Sequence, residues 1–239
     1  MMKKTEHLTK KEFGIALRST LPIMTGYLAL GFGFGVLLRS KGFGVLWALG
    51  ISCTMYSGAM QYVAVDLLAG GVPLLTVALT TLMVNARHLF YGLSILENYK
   101  GAGLRKGYMI FALTDETYSL VCSGVPDGIE HRYAYYFCVS LLDHLYWISG
   151  CVLGAATGSV LPFNSKGIDF VLTALFITIF LEQWLQSKKH VYALIGVGST
   201  LLCRVVFGSE QFLIPSMALI ALSLFLLRAI RKEEALQDG

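Results

Sequence analysis

Charge is what this sequence has least of. Only 14% of its 239 residues are Asp, Glu, Lys or Arg, against about a quarter in a soluble domain. Hydrophobic residues make up 55%, and the mean hydropathy is +0.64. So few charges cannot cover a water-facing surface, which excludes a soluble enzyme. The apolar residues come in blocks rather than at period three or seven, which excludes disorder, collagen and coiled coil. The five cysteines, Cys53, Cys122, Cys138, Cys151 and Cys203, include no C-x-x-C pair and read as packing residues of apolar runs. No basic stripe with interleaved aromatics exists away from the flanks of these runs, so no nucleic-acid partner is expected. What remains is a polytopic membrane protein.

A bilayer crossing needs about twenty apolar residues. The chain divides into runs of about that size near 16–38, 45–69, 73–96, 107–124, 133–160, 168–185, 190–207 and 211–230. The expected fold is an all-α polytopic membrane helix bundle of seven or eight transmembrane helices, some interrupted at mid-membrane. Seven crossings, or a re-entrant pair, are the alternatives to eight. Residues 1–239 are read as a single integral membrane domain, with cytoplasmic tails at 1–15 and 231–239. The first run is too long for a signal-peptide core and lacks a cleavage site after it, so it is expected to stay as the first helix. The net charge is +4, and its placement matters more than its size. Lys3, Lys4, Lys10 and Lys11 precede the first run and Arg228, Arg231 and Lys232 follow the last, which favours both termini in the cytoplasm. Gly150, Gly154 and Gly158 recur every four residues and mark one face for close helix packing. Gly31, Gly33 and Gly35 spread over several faces and are expected to loosen the end of their helix. They form no phosphate-binding loop, since no strand precedes them.

Hydrophilic residues interrupt four apolar runs near their middles, where an ionisable group costs several kcal/mol and is kept mainly where it works or is paired. The first interruption is Ser57-Gly58-Ala59-Met60-Gln61, in which glycine can break the helix and Gln61 can donate and accept. The second is Asn85-Ala86-Arg87-His88. Asn85 and His88 share a face, and Arg87, always charged, needs a carboxylate, carbonyls or water. The third is Thr114-Asp115-Glu116, whose adjacent carboxylates project about 100° apart and serve different partners. The fourth is Asp143-His144, with Trp147 on the face of His144. Each has a structural alternative: a helix contact glued by Ser57 and Gln61, an ion pair of Arg87 with Asp115 or Glu116, and a helix-to-helix hydrogen bond from His144. Glu182 and Arg204, near run ends, are explained by snorkelling.

In this order and in separate apolar runs, the first three segments resemble the AzlC family of branched-chain amino-acid permeases, the large subunits of small two-component exporters. Length and hydropathy match over nearly the whole chain, whereas the second half is only generally similar beyond Asp143 and Trp147. The resemblance implies export of leucine, isoleucine, valine and methionine from a prokaryotic cytoplasm across the cell (inner) membrane, driven by the proton gradient. It also implies a small hydrophobic AzlD-type membrane partner, and it calls for no cofactor, metal or catalytic residue.

A zwitterion needs an anion point, a cation point and an apolar pocket, which interrupted helices supply at the midplane. Arg87, Asn85 and the Ser57–Gly58 backbone are assigned to the carboxylate, and Gln61 and Asp115 to the ammonium. Met60, Phe90 and Phe111 are candidates for the apolar wall. Asp115, Glu116, Asp143 and His144 are the proton-coupling candidates. Two other readings use the same residues. One is a transporter of divalent metal or another small solute, built on His88, Asp115, Glu116 and Asp143, which lack an H-x-x-x-H pair. The other is an intramembrane serine hydrolase pairing Ser57 with His88 or His144, which lacks the G-x-S-G pattern because Met55 replaces its first glycine.

Overall fold

The computed structural model describes residues 8–158, 190–212 and 218–227, with isolated positions at 177, 180, 181, 184, 185, 215 and 216; the side chains of 87, 89, 90, 93 and 209–211 are not among those described. All regular structure among the described residues is helical, and the protein is an all-α membrane helix bundle. The chain forms two compact units, Met1–Thr173 and Ala174–Gly239.

The first unit is built on α1, Lys10–Ser40, and α7, Arg132–Thr157, both long and apolar enough to cross a membrane. Helix α1 begins with a capping box. The Thr9 hydroxyl accepts from the Glu12 amide at 3.2 Å, and the Glu12 carboxylate accepts from the Thr9 amide at 2.8 Å. Helix formation therefore starts at Lys10, inside the stretch read as a tail. Glu12 is buried and reaches further. Its Oε1 accepts from the amides of Glu130 and His131, each at 2.9 Å, at the start of α7, and the His131 ring lies 3.0 Å from Oε2. One carboxylate thus closes the N-termini of both helices, which their dipoles favour.

Glu12 and His131 are 119 residues apart. The same offset brings Gly31 against Gly150 and Gly35 against Gly154, so α1 and α7 run parallel in a fixed register. A Cβ added to Gly31 would stand 2.9 Å from the Trp147 carbonyl, and one on Gly35 or Gly154 would overlap the facing main chain. The glycine face expected on α7 is therefore a packing face. Gly31 and Gly35 do not loosen α1, which stays helical through Ser40; they are the other half of that contact.

Between these helices lie α2 (Val45–Thr54), α3 (Gly58–Gly70), α4 (Leu74–Ile95), α5 (Arg105–Phe111) and α6 (Asp115–Cys122). The runs at 45–69 and 107–124 are interrupted, as expected for some helices, but neither crosses. Helix α2 descends from the C-terminal end of α1 to Ser52, whose carbonyl meets His144 halfway along α7. Helix α3 then climbs back. Tyr62 donates to the Leu30 carbonyl at 2.6 Å, and one turn on Asp66 meets Lys41, just past the end of α1, at 3.0 Å. The second hairpin does the same from the opposite end. Arg105 stacks over Phe137 in the first half of α7, Tyr108 reaches His144, Thr114 reaches Tyr27, and Val121 returns to the cluster of Ala16, Tyr135 and Tyr136. Helix α4 runs from one hairpin to the other, passing Ser57 at Asn85 and joining the Ala16 cluster at Ile95. The re-entrant alternative therefore holds twice, with the two hairpins entering from opposite ends of the unit.

In the second unit α8, Val191–Gln211, is apolar enough to cross over Val191–Gly208 and breaks at Gly208 (φ 77°). It is followed by α9, Ala218–Leu227. Most of the run at 168–185, with Glu182, and the tail at 231–239 lie outside the described residues.

Replacing Gly154 with valine is expected to destabilise the protein by about 1–3 kcal/mol or more, because side-chain atoms must enter a main-chain contact. Gly26→Ala, at an exposed site of α1 with nothing within 4 Å, is expected to stabilise by about 0.5–1 kcal/mol. Thermal unfolding of the two variants in detergent checks the opposite signs.

Candidate functional site

A helix that ends inside a membrane leaves carbonyls without amide partners, and no water is there to replace them. At the first hairpin tip, residues 55–57, side chains take over. Gln61 is fully buried and donates its Nε2 to the Met55 carbonyl, while its Oε1 accepts from the Trp147 indole at 3.0 Å. His144 lies 3.0 Å through Nε2 from the Ser52 carbonyl and 2.9 Å through Nδ1 from the Tyr108 hydroxyl. A carbonyl can only accept, so Nε2 carries the proton and Nδ1 accepts from Tyr108. The ring also stacks on Tyr56 at 4.3 Å. Gln61 and His144 are thus braces of a broken helix that tie it to α5 and α7. Gly58 is required by the same brace, since a Cβ there would stand 2.9 Å from the Trp147 ring.

The second tip, residues 112–114, is closed by Thr114, whose hydroxyl accepts from the Thr117 amide at 3.3 Å to cap α6. From this cap a chain of oxygen contacts leads outward in two directions. Tyr27 donates to Glu116 Oε2 at 2.7 Å and lies 2.6 Å from Thr114 Oγ1. Thr114 and Thr117 are 3.1 Å apart, and Thr117 donates to Asp143 Oδ2 at 2.8 Å. Asp143 is fully buried, and its Oδ1 has no hydrogen-bond partner among the described residues.

The two hairpins and α4 line an open cavity of about 250 Å³, with Met55, Tyr56 and Ser57 from the first tip, Ile110 and Phe111 from the end of α5, Leu113 from the second tip, and Asn85, His88 and Gly92 from α4. Of the residues expected to bind a solute, the structure brings Ser57 and Asn85 together. The serine donates to Asn85 Oδ1 at 2.7 Å. Gly58 opens α3 directly behind Ser57, with its first-turn amides at mid-depth. Phe111 forms part of the apolar wall, whereas Met60 is buried away from the cavity. Asp115 stands in the first turn of α6, partly buried. The side chains of Arg87 and Phe90 lie outside the described residues.

Ser57 donates its hydrogen bond to Asn85 rather than to an imidazole, and both nitrogens of His144 face other groups, so the Ser57–His144 dyad is not assembled. Among the described residues no three His, Cys, Asp or Glu side chains gather as a metal site would require. Tyr27, Tyr56 and Thr117 had no signal in the sequence: a tyrosine in an apolar run reads as packing, and Thr117 follows the acidic pair that draws attention first.

Trp147→Phe is expected to cost about 1–3 kcal/mol, because it leaves the buried Gln61 Oε1 with only the Cys151 thiol, 4.0 Å away. Unfolding midpoints in detergent measure this.

The family model described as AzlC protein matches residues 22–161, more than half of the chain. The "Branched-chain amino acid transport protein AzlC" of Bacillus subtilis (strain 168) is 41% identical over 93% of this chain and 89% of its own length. An "Uncharacterized membrane protein" of Helicobacter pylori (strain J99) is 38% identical, covering 91% and 96%. The "Inner membrane protein YgaZ" of Escherichia coli (strain K12) is 30% identical, covering 75% and 77%. No solved structure matches the chain.

Proposed function

Because the chain belongs to the AzlC family, we propose that it transports branched-chain amino acids, and that it exports leucine, isoleucine, valine and methionine from a prokaryotic cytoplasm using the proton gradient. The observation that carries this reading is the cavity between two opposed hairpin tips. Half-helix ends at mid-depth bring main-chain amides and carbonyls to a solute while the rest of the wall stays apolar. A volume of about 250 Å³ suits one small solute, below the ~300–1,000 Å³ of drug-sized pockets.

In this reading the carboxylate of the amino acid meets the first-turn amides after Ser57, together with Asn85 and the cation Arg87. The ammonium meets Asp115 and the tip carbonyls. Phe111, Ile110 and Leu113 receive the aliphatic side chain. Gln61 is left to hold the break open. The acidic pair of Glu116 and Asp143 lies behind the second tip, out of the cavity wall, which suits proton coupling better than solute contact. A small hydrophobic AzlD-type subunit is proposed as the partner within the bilayer, and the site is proposed to lie in the inner membrane with both termini cytoplasmic.

Proteoliposomes loaded with labelled leucine, with and without the small partner, test the proposal under an imposed pH gradient. Efflux that unlabelled isoleucine competes against is expected, and Arg87→Ala is expected to abolish it. Asn85→Ala and Ser57→Ala each remove an uncharged hydrogen-bonding group and should raise KM for leucine about three- to tenfold. Absence of efflux even with the partner present would overturn the substrate assignment.

A further inference from the structure

The oxygen chain behind the second tip contains one proton too few. Four contacts link Glu116 to Asp143: Glu116–Tyr27 at 2.7 Å, Tyr27–Thr114 at 2.6 Å, Thr114–Thr117 at 3.1 Å and Thr117–Asp143 at 2.8 Å. Each is within hydrogen-bonding distance for a pair of oxygens and so needs one proton. The three hydroxyls between the carboxyl groups supply only three. If Tyr27 donates to Glu116, Thr114 to Thr117 and Thr117 to Asp143, the Tyr27 and Thr114 oxygens face one another at 2.6 Å with nothing between them.

From this count we infer that Glu116 and Asp143 share a single additional proton through a hydroxyl wire formed by Tyr27, Thr114 and Thr117. The inference rests on the proton-coupled reading above and assigns its path. Only two arrangements satisfy all four contacts. With the proton on Glu116, donation runs from Glu116 through Tyr27, Thr114 and Thr117 to an ionised Asp143. With the proton on Asp143, every donor and acceptor is reversed and Glu116 is ionised. The step between them breaks four O–H bonds and makes four, each hydroxyl giving a proton to one neighbour and taking one from the other. Total charge is unchanged, and one negative charge moves from one carboxyl group to the other. Such chains polarise along their length, which favours concerted reversal.

The wire is shielded from water from Tyr27 to Asp143, while Glu116 at its other end is half-buried. Tyr27, Thr114, Thr117 and Asp143 are all buried, and the Tyr27 ring is held edge-on by Tyr56 and Trp147. The ionisable groups about Asp143 include Glu116 from α6, Tyr56 from the first tip, and Tyr135 and Cys138 from α7; those about Glu116 include Tyr27, Tyr56 and Asp143. Tyr108 and His144 border Tyr56 from α5 and α7. The middle oxygen of the wire, on Thr114, is also the cap of α6. Reversal therefore alters the donor state of the group that fixes the second hairpin tip.

Tyr27→Phe and Thr117→Val each cut the wire at one oxygen and keep the side chain's shape, while Thr117→Ser keeps the hydroxyl. Difference infrared spectra in H₂O and D₂O read the carboxyl C=O band of the shared proton, and pH-gradient stimulation of labelled-leucine flux reads coupling. In the wild type, a band that both Glu116→Gln and Asp143→Asn alter is expected. Tyr27→Phe and Thr117→Val should displace it and lose the gradient stimulation, and Thr117→Ser should retain both. A band and a stimulation unchanged by both cutting variants would overturn the wire and leave amino-acid transport standing. Wild-type protein that shows the band and its displacement but moves no leucine would sustain the wire and overturn the substrate reading instead.

Discussion

At Gly31, Gly35, Gly150 and Gly154 the lack of a Cβ lets the main chains of α1 and α7 touch, and the placement of the polar groups in the first unit follows from that contact. In hydrocarbon, helices gain little from burying apolar surface on each other, so association depends on close packing and on hydrogen bonds between them. Backbone contact supplies the packing here. It also sets which residues of α1 and α7 stand level with each other, and so carries Tyr27, Asp143, His144 and Trp147 to the depth at which the two hairpins stop. With bulkier residues at the glycine positions the helices would stand further apart, and Tyr27 could not reach Thr114 and Glu116 while Asp143 held Thr117.

The hairpins turn an energetic liability into a site. Each leaves helix ends in a region without solvent, and the polar side chains found there answer those ends one by one: Gln61 at Met55, His144 at Ser52, Thr114 at Thr117. Once the ends are satisfied, the space between the tips can remain open and lined by few polar atoms. The separation of tasks is clear in the geometry. Ser57, Asn85 and His88 face the cavity, whereas the carboxyl groups joined by hydroxyls lie behind the tip that forms one of its walls.

Much of this was legible in the sequence, for identifiable reasons. Runs of about twenty apolar residues locate α1, α4 and α7, because bilayer thickness sets their length. Glycine in the middle of a run flagged the first break, whereas the second was marked only by the polarity of Thr114-Asp115-Glu116, whose threonine was not read as a cap. Whether a broken run crosses or doubles back was not legible. A run of 25 residues serves equally as one crossing or as two half-helices, and only the Lys41–Asp66 pair and its counterparts decide. Polarity at depth identified Gln61 and His144 but not their occupation, because a brace for a free carbonyl and a ligand for a solute use the same side chains. Glu12 was hidden in a lysine-rich stretch, and Tyr27 in an apolar one.

The shared clasp at Glu12 has a mechanical consequence. Sliding α1 along α7 by one turn, about 5.4 Å, would pull the carboxylate out of both N-termini and drive side chains into the glycine contact. The two helices are therefore locked in translation at one end and along their length, and they act as a stator. In the transport cycle proposed above, displacement that exposes the cavity first to one face and then to the other would fall to the hairpins, whose outer ends carry left-handed glycines at Gly42, Gly71, Gly101 and Gly124. These short arms start from opposite ends of the unit and meet in a common centre, so each would have to release its hydrogen bonds to the frame, at Gln61–Trp147 for the first and Thr117–Asp143 for the second, before it could swing.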